Sequence, residues 1–243
     1  MGGIGISYQA IFARYELKYM ITDAQKQLIL DAIAPYTVQD RYGRTSVRSL
    51  YLDTPDHLLI RRSIEKPDYK EKLRMRSYGR AEDDADVFAE IKKKYRGMVY
   101  KRRVALPWCE CERWLSFGGE CPINTQISRE IEHMRMMYAP LRPTVFISYF
   151  REAYYGRGTD LRITFDSDIL ADTEQLTLSR DVCGMPLLES GIHLMEIKCG
   201  GGVPLWLVRI LSRERIYKSS FSKYGTAYRE MIHNKKELSL NVR

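Results

Sequence analysis

Residues 69–78 read Tyr69-Lys70-Glu71-Lys72-Leu73-Arg74-Met75-Arg76-Ser77-Tyr78. From Lys72 to Arg76 charged and apolar side chains alternate, the period of a β-strand with one cationic and one apolar face. The same pattern recurs along the chain. Glu16 and Lys18 flank Leu17, Glu90 and Lys92 flank Ile91, and Lys101 stands two residues from Arg103. Tyr149 and Arg151 flank Phe150; Arg162, Thr164 and Asp166 alternate with Ile163 and Phe165; Glu196 and Lys198 flank Ile197. An ordinary barrel turns such a polar face to water. Here that face is built from Arg, Lys and Glu with almost no Ser, Asn or Gln, and its cations outnumber its anions. Turned inward, it makes physical sense only around a polyanion or a wet channel.

The surrounding elements suit a barrel. Strands are predicted over 12–19, 47–52, 69–78, 87–94, 99–106, 144–154, 161–166 and 194–199, with an acidic turn at 81–86 and a turn at Arg96-Gly97. Thr22 and Gln25 form a capping box that opens a helix stopped by Pro35. Ile127, Ile131, Met134 and Tyr138 recur at helical spacing, giving an amphipathic helix within 124–139. Pro204 opens a short helix through Leu211, and a last helix is predicted over 226–236. No repeat or linker divides residues 1–243, so the expectation is one α+β domain: an antiparallel barrel with helices outside.

Lys plus Arg number 39 and Asp plus Glu 31, a net charge of +8 that calls for an anionic partner: nucleic acid, phosphorylated metabolite or acidic membrane. Five cysteines without C-x-x-C spacing read as reduced thiols. No run approaches the ~18 apolar residues of a membrane span. Met1-Gly2-Gly3-Ile4-Gly5-Ile6 lacks the build of a signal peptide, and Ile6 stands where a myristoylation signal has Ser or Thr. The chain reads as cytoplasmic.

Arginine offers bidentate forks to phosphate oxygens and lysine a point charge. Glu16, Glu90, Asp166 and Glu196 are hard-oxygen ligands suited to Mg²⁺ or Mn²⁺ bridging phosphates. A tunnel for a chain of phosphates is the natural reading. Other chemistries lack their residues. There is no G-x-x-x-x-G-K-[ST] loop, His57, His133, His193 and His233 show no metal spacing, and Gly200-Gly201-Gly202 marks a turn. No aromatic platform for stacking bases is evident, so nucleic acid is not an expected partner.

Eight segments, in order, resemble the VTC domain, the polyphosphate polymerase domain of the vacuolar transporter chaperone family and a branch of the triphosphate tunnel metalloenzymes. They are Arg14-Tyr15-Glu16-Leu17-Lys18-Tyr19, Ser49-Leu50-Tyr51-Leu52-Asp53, Lys72-Leu73-Arg74-Met75-Arg76-Ser77-Tyr78, Phe88-Ala89-Glu90-Ile91-Lys92, Tyr149-Phe150-Arg151, Leu161-Arg162-Ile163-Thr164-Phe165-Asp166, Met195-Glu196-Ile197-Lys198 and Phe221-Ser222-Lys223-Tyr224. The resemblance implies a tunnel that binds ATP and a growing polyphosphate chain, with Mn²⁺ or Mg²⁺ as cofactor. It places Lys18, Arg74, Arg76, Lys92, Lys101, Arg151, Arg162, Ser222 and Lys223 on phosphate and Glu196 on metal, and aligns Tyr149 with a lumenal tyrosine. Face parity adds Lys198 and Arg103 to the phosphate set, and Glu16 and Glu90 to the metal set. Arg74, Arg76, Arg151 and Lys223 are the expected catalytic side chains. The implied reaction moves the γ-phosphoryl of ATP onto polyphosphate. A triphosphate hydrolase, with Glu16 or Glu90 as base, and a non-catalytic polyphosphate-binding module are the alternatives. The chain shows neither the phosphate-sensing module nor the membrane segments of the eukaryotic complex. A membrane partner protein would therefore have to move any product across a bilayer.

Overall fold

In the computed structural model, which describes residues 15–96 and 98–233 apart from the Tyr15 side chain, ten strands form one antiparallel sheet. The elements in order are β1 (Tyr15–Thr22), α1 (Asp23–Ile33), β2 (Thr37–Gln39), β3 (Thr45–Asp53), α2 (Leu58–Ile64), β4 (Tyr69–Tyr78), β5 (Asp86–Tyr95) and β6 (Met98–Pro107). Then come α3 (Trp108–Leu115), α4 (Gln126–Met137), β7 (Arg142–Gly156), β8 (Arg162–Asp172), β9 (Met185–Pro186), β10 (Ile192–Cys199), α5 (Leu205–Arg213) and α6 (Lys223–Ala227). A π-helical turn, Tyr228–His233, follows α6.

The sheet runs β1-β10-β8-β7-β3-β4-β5-β6, with β2 on β7 and β9 on β8. Lys92 on β5 nevertheless reaches Glu16 on β1 at 3.7 Å, from the far side of that path. The sheet is therefore curled on itself. Its end strands, β1 and β6, are not paired with each other, so the expected barrel is curled rather than strictly closed. The free edge of β1 is covered instead by the chain before α6: Tyr19 bridges Lys218, and Ser219 N–H donates to the Lys18 carbonyl at 2.7 Å.

Where the apolar alternate residues go decides which face is inside. Leu50, Leu73, Met75, Ala89, Ile91 and Phe146 are buried beneath Trp108, Trp114 and Leu115 of α3 and Ile131 and Met134 of α4. Ile163, Phe165, Met195 and Ile197 are buried beneath Ile29 and Ile33 of α1 and Leu207 and Leu211 of α5. Helices thus cover the outer face, each buried Leu or Ile contributing about 1.5–3 kcal/mol, and the charged alternates are left facing inward. A third cluster lies on that inner face: Val47, Tyr51, Val145, Ile147, Ile169 and Leu194 pack on Tyr224, Ala227, Tyr228 and Met231. The C-terminal helical segment so fills one side of the interior and leaves the rest to the charges.

Both N-caps behave as their sequences direct. Thr22 and Gln25 close the predicted box, and Thr125 and Ser128 form a second one ahead of α4. The differences are informative. The segments α2, α3, β2 and β9 were not anticipated, because they are short and carry no full period of either pattern. Gly97 and residues 12–14 lie outside the described chain. The last helix begins at Lys223, earlier than expected, and changes to π-helical at Tyr228; residues 234–236 also lie outside. Phe150 is only half-buried, under the Arg44 guanidinium at 3.8 Å, instead of joining the core.

Asp53 ties the parts of this end together. Its carboxylate, 0% exposed, accepts from the backbone N–H of Thr54, Leu59 and Ile60 at 2.8–3.0 Å and from the Tyr224 hydroxyl at 2.8 Å. It thereby starts α2 and anchors α6 to β3. Asp53→Ala leaves several buried donors unpaired, so a loss of about 2–4 kcal/mol and a melting point lower by roughly 5–10 °C are expected in thermal denaturation. A fall below 2 °C would remove the anchoring role.

Candidate functional site

Strand pairing sets the charges side by side. Across β3, β4, β5 and β6, Tyr51 stands opposite Arg74, Arg74 opposite Glu90, and Glu90 opposite Arg103; Lys72 stands opposite Lys92, and Lys92 opposite Lys101. Across β7, β8, β10 and β1, Arg151 stands opposite Asp166, Thr164 opposite Glu196, and Glu196 opposite Lys18. A bulge in β8 keeps this second row inward. Asp168 adopts a left-handed φ of 52°, shifts the register after Ser167, and turns Ile169 and Ala171 into the inner apolar cluster while Asp166 keeps Arg151.

Two carboxylate hubs result. Glu90 is 1% exposed. Its Oε2 accepts from Arg74 Nε at 2.8 Å and is ion-paired with Arg74 Nη2 at 2.7 Å and Arg76 Nη1 at 3.9 Å, and Lys101 Nζ lies 2.7 Å from Oε1. Burial opposes its ionisation, but Arg74, Arg76 and Lys101 outweigh it and hold the carboxyl down at about 2. At the second hub, Arg151 grips Asp166 with two parallel bonds of 2.6 and 2.7 Å, and Lys223 Nζ adds a third at 2.5 Å. Glu196 stands beside them, with Arg151 and Lys198 at 3.6 Å and Lys18 at 3.7 Å. Burial opposes its ionisation too, and Lys223, Arg151, Lys198 and Lys18 hold it well below the carboxylate range. Glu16 lies between the hubs, 3.7 Å from Lys92 and 3.9 Å from Lys198.

The remaining expected residues are distributed as follows. Tyr149 bridges the hubs: its hydroxyl accepts from Arg76 Nη2 at 3.3 Å, and Lys223 Nζ lies 4.4 Å from its ring centre. Arg162 is half-buried, opposite Lys198 and over the Tyr155 ring. Arg103 sits at the exposed edge, its guanidinium 4.3 Å from the Phe88 ring centre. Ser222 caps α6, accepting from Gly225 N–H at 3.2 Å, and so sets where Lys223 projects. Lys72 and Tyr51, absent from the expected set, also belong to this array. The Tyr51 hydroxyl accepts from Arg74 Nη1 at 3.0 Å, and Lys72 Nζ lies 5.7 Å from the Tyr224 ring centre. Burial pushes Lys72 and Lys101 down to about 8. Lys72 carried the parity signal; Tyr51 carried none beyond its place in a motif.

The sequence matches the VTC domain family over residues 13–232. The chain belongs to the VTC domain family. No curated protein matches it. Among solved structures, this VTC domain is similar to a candidate adenylate cyclase from Bacillus halodurans, at 12% identity and a TM-score of 0.55 over 87% of this chain and 94% of that one. It is also similar to a candidate adenylyl cyclase from Hippeastrum with a dominant triphosphatase activity, at 14% identity and a TM-score of 0.48 over 88% and 94% of the two chains. The Bacillus likeness shows the fold. Among the described residues of this VTC domain no helix is long and apolar enough to cross a membrane.

The residues present bear on a divalent cation. Among the described residues no three His, Cys, Asp or Glu side chains gather into a metal cluster. Glu90 has both oxygens on cations and Asp166 is held by Arg151 and Lys223, so the expectation that Glu90 binds metal does not suit its surroundings. Glu196 and Glu16 differ: their partners stand at 3.6–3.9 Å, ion-pair rather than hydrogen-bond distance. Such carboxylates fit Mg²⁺ or Mn²⁺ that completes its shell with phosphate oxygens and water.

Proposed function

We propose that this protein transfers the γ-phosphoryl of ATP onto a polyphosphate chain held in the curled sheet. The observation that carries the reading is the inner face itself, where Lys18, Lys72, Arg74, Arg76, Lys92, Lys101, Arg151, Lys198 and Lys223 exceed the carboxylates that face them. Buried like charges in excess are costly without an anion to complete them, and a phosphate chain is the anion whose geometry suits arginine forks in series.

In this reading Arg74, Arg76 and Arg151 hold phosphate oxygens, oriented by Glu90 and Asp166. Lys223, fixed over Tyr149, stabilises the charge shared between donor and acceptor. Glu196, with Glu16, holds a divalent cation, which when bound neutralises phosphate charge and aligns the reacting groups. An ionised phosphate acceptor needs no general base. A hydrolase would need one, and Glu90, at about 2 and fully ion-paired, is unsuited; that leaves Glu16. The test is incubation with ATP and Mn²⁺. Long-chain polyphosphate supports transfer, free phosphate alone means hydrolysis, and neither product means binding only.

The spread of the carboxylates yields a further expectation. Mn²⁺ should bind weakly by itself and at least tenfold more tightly once tripolyphosphate is present, as followed by electron paramagnetic resonance of the free ion. Equal affinity with and without tripolyphosphate would show an all-protein metal site and count against this arrangement.

A further inference from the structure

Tyr51 is 7% exposed on the inner face of β3, its ring stacked on Tyr224 at 4.6 Å and 24°. Stacking leaves its hydroxyl as the polar end. The neighbours of that hydroxyl from β4 are cations: Arg74, which donates to it at 3.0 Å, Arg76 and Lys72. The anions nearby are engaged elsewhere. Asp53 is taken by backbone amides and by the Tyr224 hydroxyl, and Glu90 by Arg74 and Lys101. Ser49, two residues before it, accepts from Arg76 Nε at 3.2 Å, and Val145 opposite it on β7 is apolar. The Tyr224 hydroxyl is turned away, toward Asp53 and Thr144. Two stacked phenols thus see opposite fields, one facing cations and the other a carboxylate.

We infer that Tyr51 is a further ligand-contacting residue of this site: its hydroxyl, which accepts from Arg74 Nη1 in the empty cavity, becomes the donor to a phosphate oxygen when a phosphate chain binds. The inference rests on the reading that a polyanion enters the cavity. Burial opposes ionisation of Tyr51, but Arg74, Arg76, Lys72 and the bond from Arg74 outweigh it and bring the phenol down to about 7. A phosphate gripped by Arg74 reverses this balance. Its charge cancels the field that favoured the phenolate, and its oxygen accepts a hydrogen bond that only the neutral phenol can donate. The proton comes from solvent, so above pH 7 each binding event takes one up. Affinity should then fall by up to tenfold per pH unit between pH 7 and 8.

Lys72 and Lys101, at about 8, take up protons in the same direction at higher pH. A readout specific to tyrosine separates them. Metal-free tripolyphosphate is titrated into the protein at pH 8 with chelator present, while the ultraviolet band of tyrosinate and the heat of binding are recorded together. The expected result is loss of about one tyrosinate on binding. Tyr51→Phe, which keeps the stack on Tyr224, should bind with no spectral change and with a flatter affinity between pH 7 and 8. Binding heat with an unchanged tyrosinate band in the unmodified protein overturns the assignment, with no need of the variant. So does the same spectral loss in Tyr51→Phe. Absence of binding heat from the unmodified protein overturns the phosphate reading, and this inference with it.

Discussion

Replacing Glu196 with alanine is expected to lower Mn²⁺-dependent turnover by about a hundredfold or more while metal-free tripolyphosphate binding holds or tightens. The two effects separate because of where the carboxylate stands. Lys18, Arg151 and Lys198 surround it at 3.6–3.7 Å without a closer bond, so its removal takes one competing negative charge away from cations that would face phosphate. Arg151 keeps its two bonds to Asp166, which should preserve the local structure. Arg74→Ala acts differently. It takes a guanidinium from the ligand, strips Glu90 of one of its two closest partners and removes the donor to Tyr51. Binding and turnover should both fall, binding by roughly tenfold to a hundredfold, the worth of a charged hydrogen bond. Measured side by side, undiminished turnover in Glu196→Ala would end the metal assignment. An equal loss of binding in the two variants would make Glu196 a structural residue.

The inner face was legible because a strand repeats every two residues. Lys72, Arg74 and Arg76 could be assigned to one side from spacing alone, and the helices packed over Leu73 and Met75 show which side that is. Which carboxylate does what was not legible, since parity gives a face and not a partner. Glu90 and Glu196 carry the same signal, yet register sets Glu90 between Arg74 and Arg103 and sets Glu196 opposite Lys18. Glu90 is closed by contacts of 2.7–2.8 Å, whereas the cations around Glu196 stand off at 3.6–3.7 Å. The bulge at Asp168 lay beyond a period-two reading, because it is an interruption of that period. Tyr51 was hidden for a related reason. Between Leu50 and Leu52 it reads as one more core position, and only its register opposite Arg74 of β4 gives its hydroxyl a cationic surrounding. The resemblance to a known family pointed to Lys223 and Ser222 where periodicity was silent. The structure adds the division of labour between them, one capping α6 and the other reaching Asp166.

Tripolyphosphate in hundredfold excess over its dissociation constant is expected to raise the melting temperature by roughly 5–10 °C at pH 7, from about 2.7 kcal/mol of linkage. The gain should shrink as pH rises toward 10. In the free protein Tyr51 titrates at about 7 against 10.0 for an ordinary tyrosine, and Lys72 at about 8 against 10.5 for an ordinary lysine. Between the folded and unfolded values the unfolded chain binds the extra proton, so stability rises with pH, by up to ~1.4 kcal/mol per unit for each group. Lys101 adds in the same sense but less, being 39% exposed. Glu90 is ionised throughout this window, its contribution being lost only as pH falls through about 2. A bound polyanion raises the Tyr51, Lys72 and Lys101 values again, so the complex does not share the rise. The free protein should therefore gain stability from pH 7 to pH 10 while the complex lags behind it, and the two melting curves converge. Melting temperatures at pH 7, 8.5 and 10, with and without tripolyphosphate, measure both. A ligand-induced gain that is constant or larger at pH 10 would mean that the cations of the inner face are not held back by one another, and the case for a phosphate chain as their missing partner would fall.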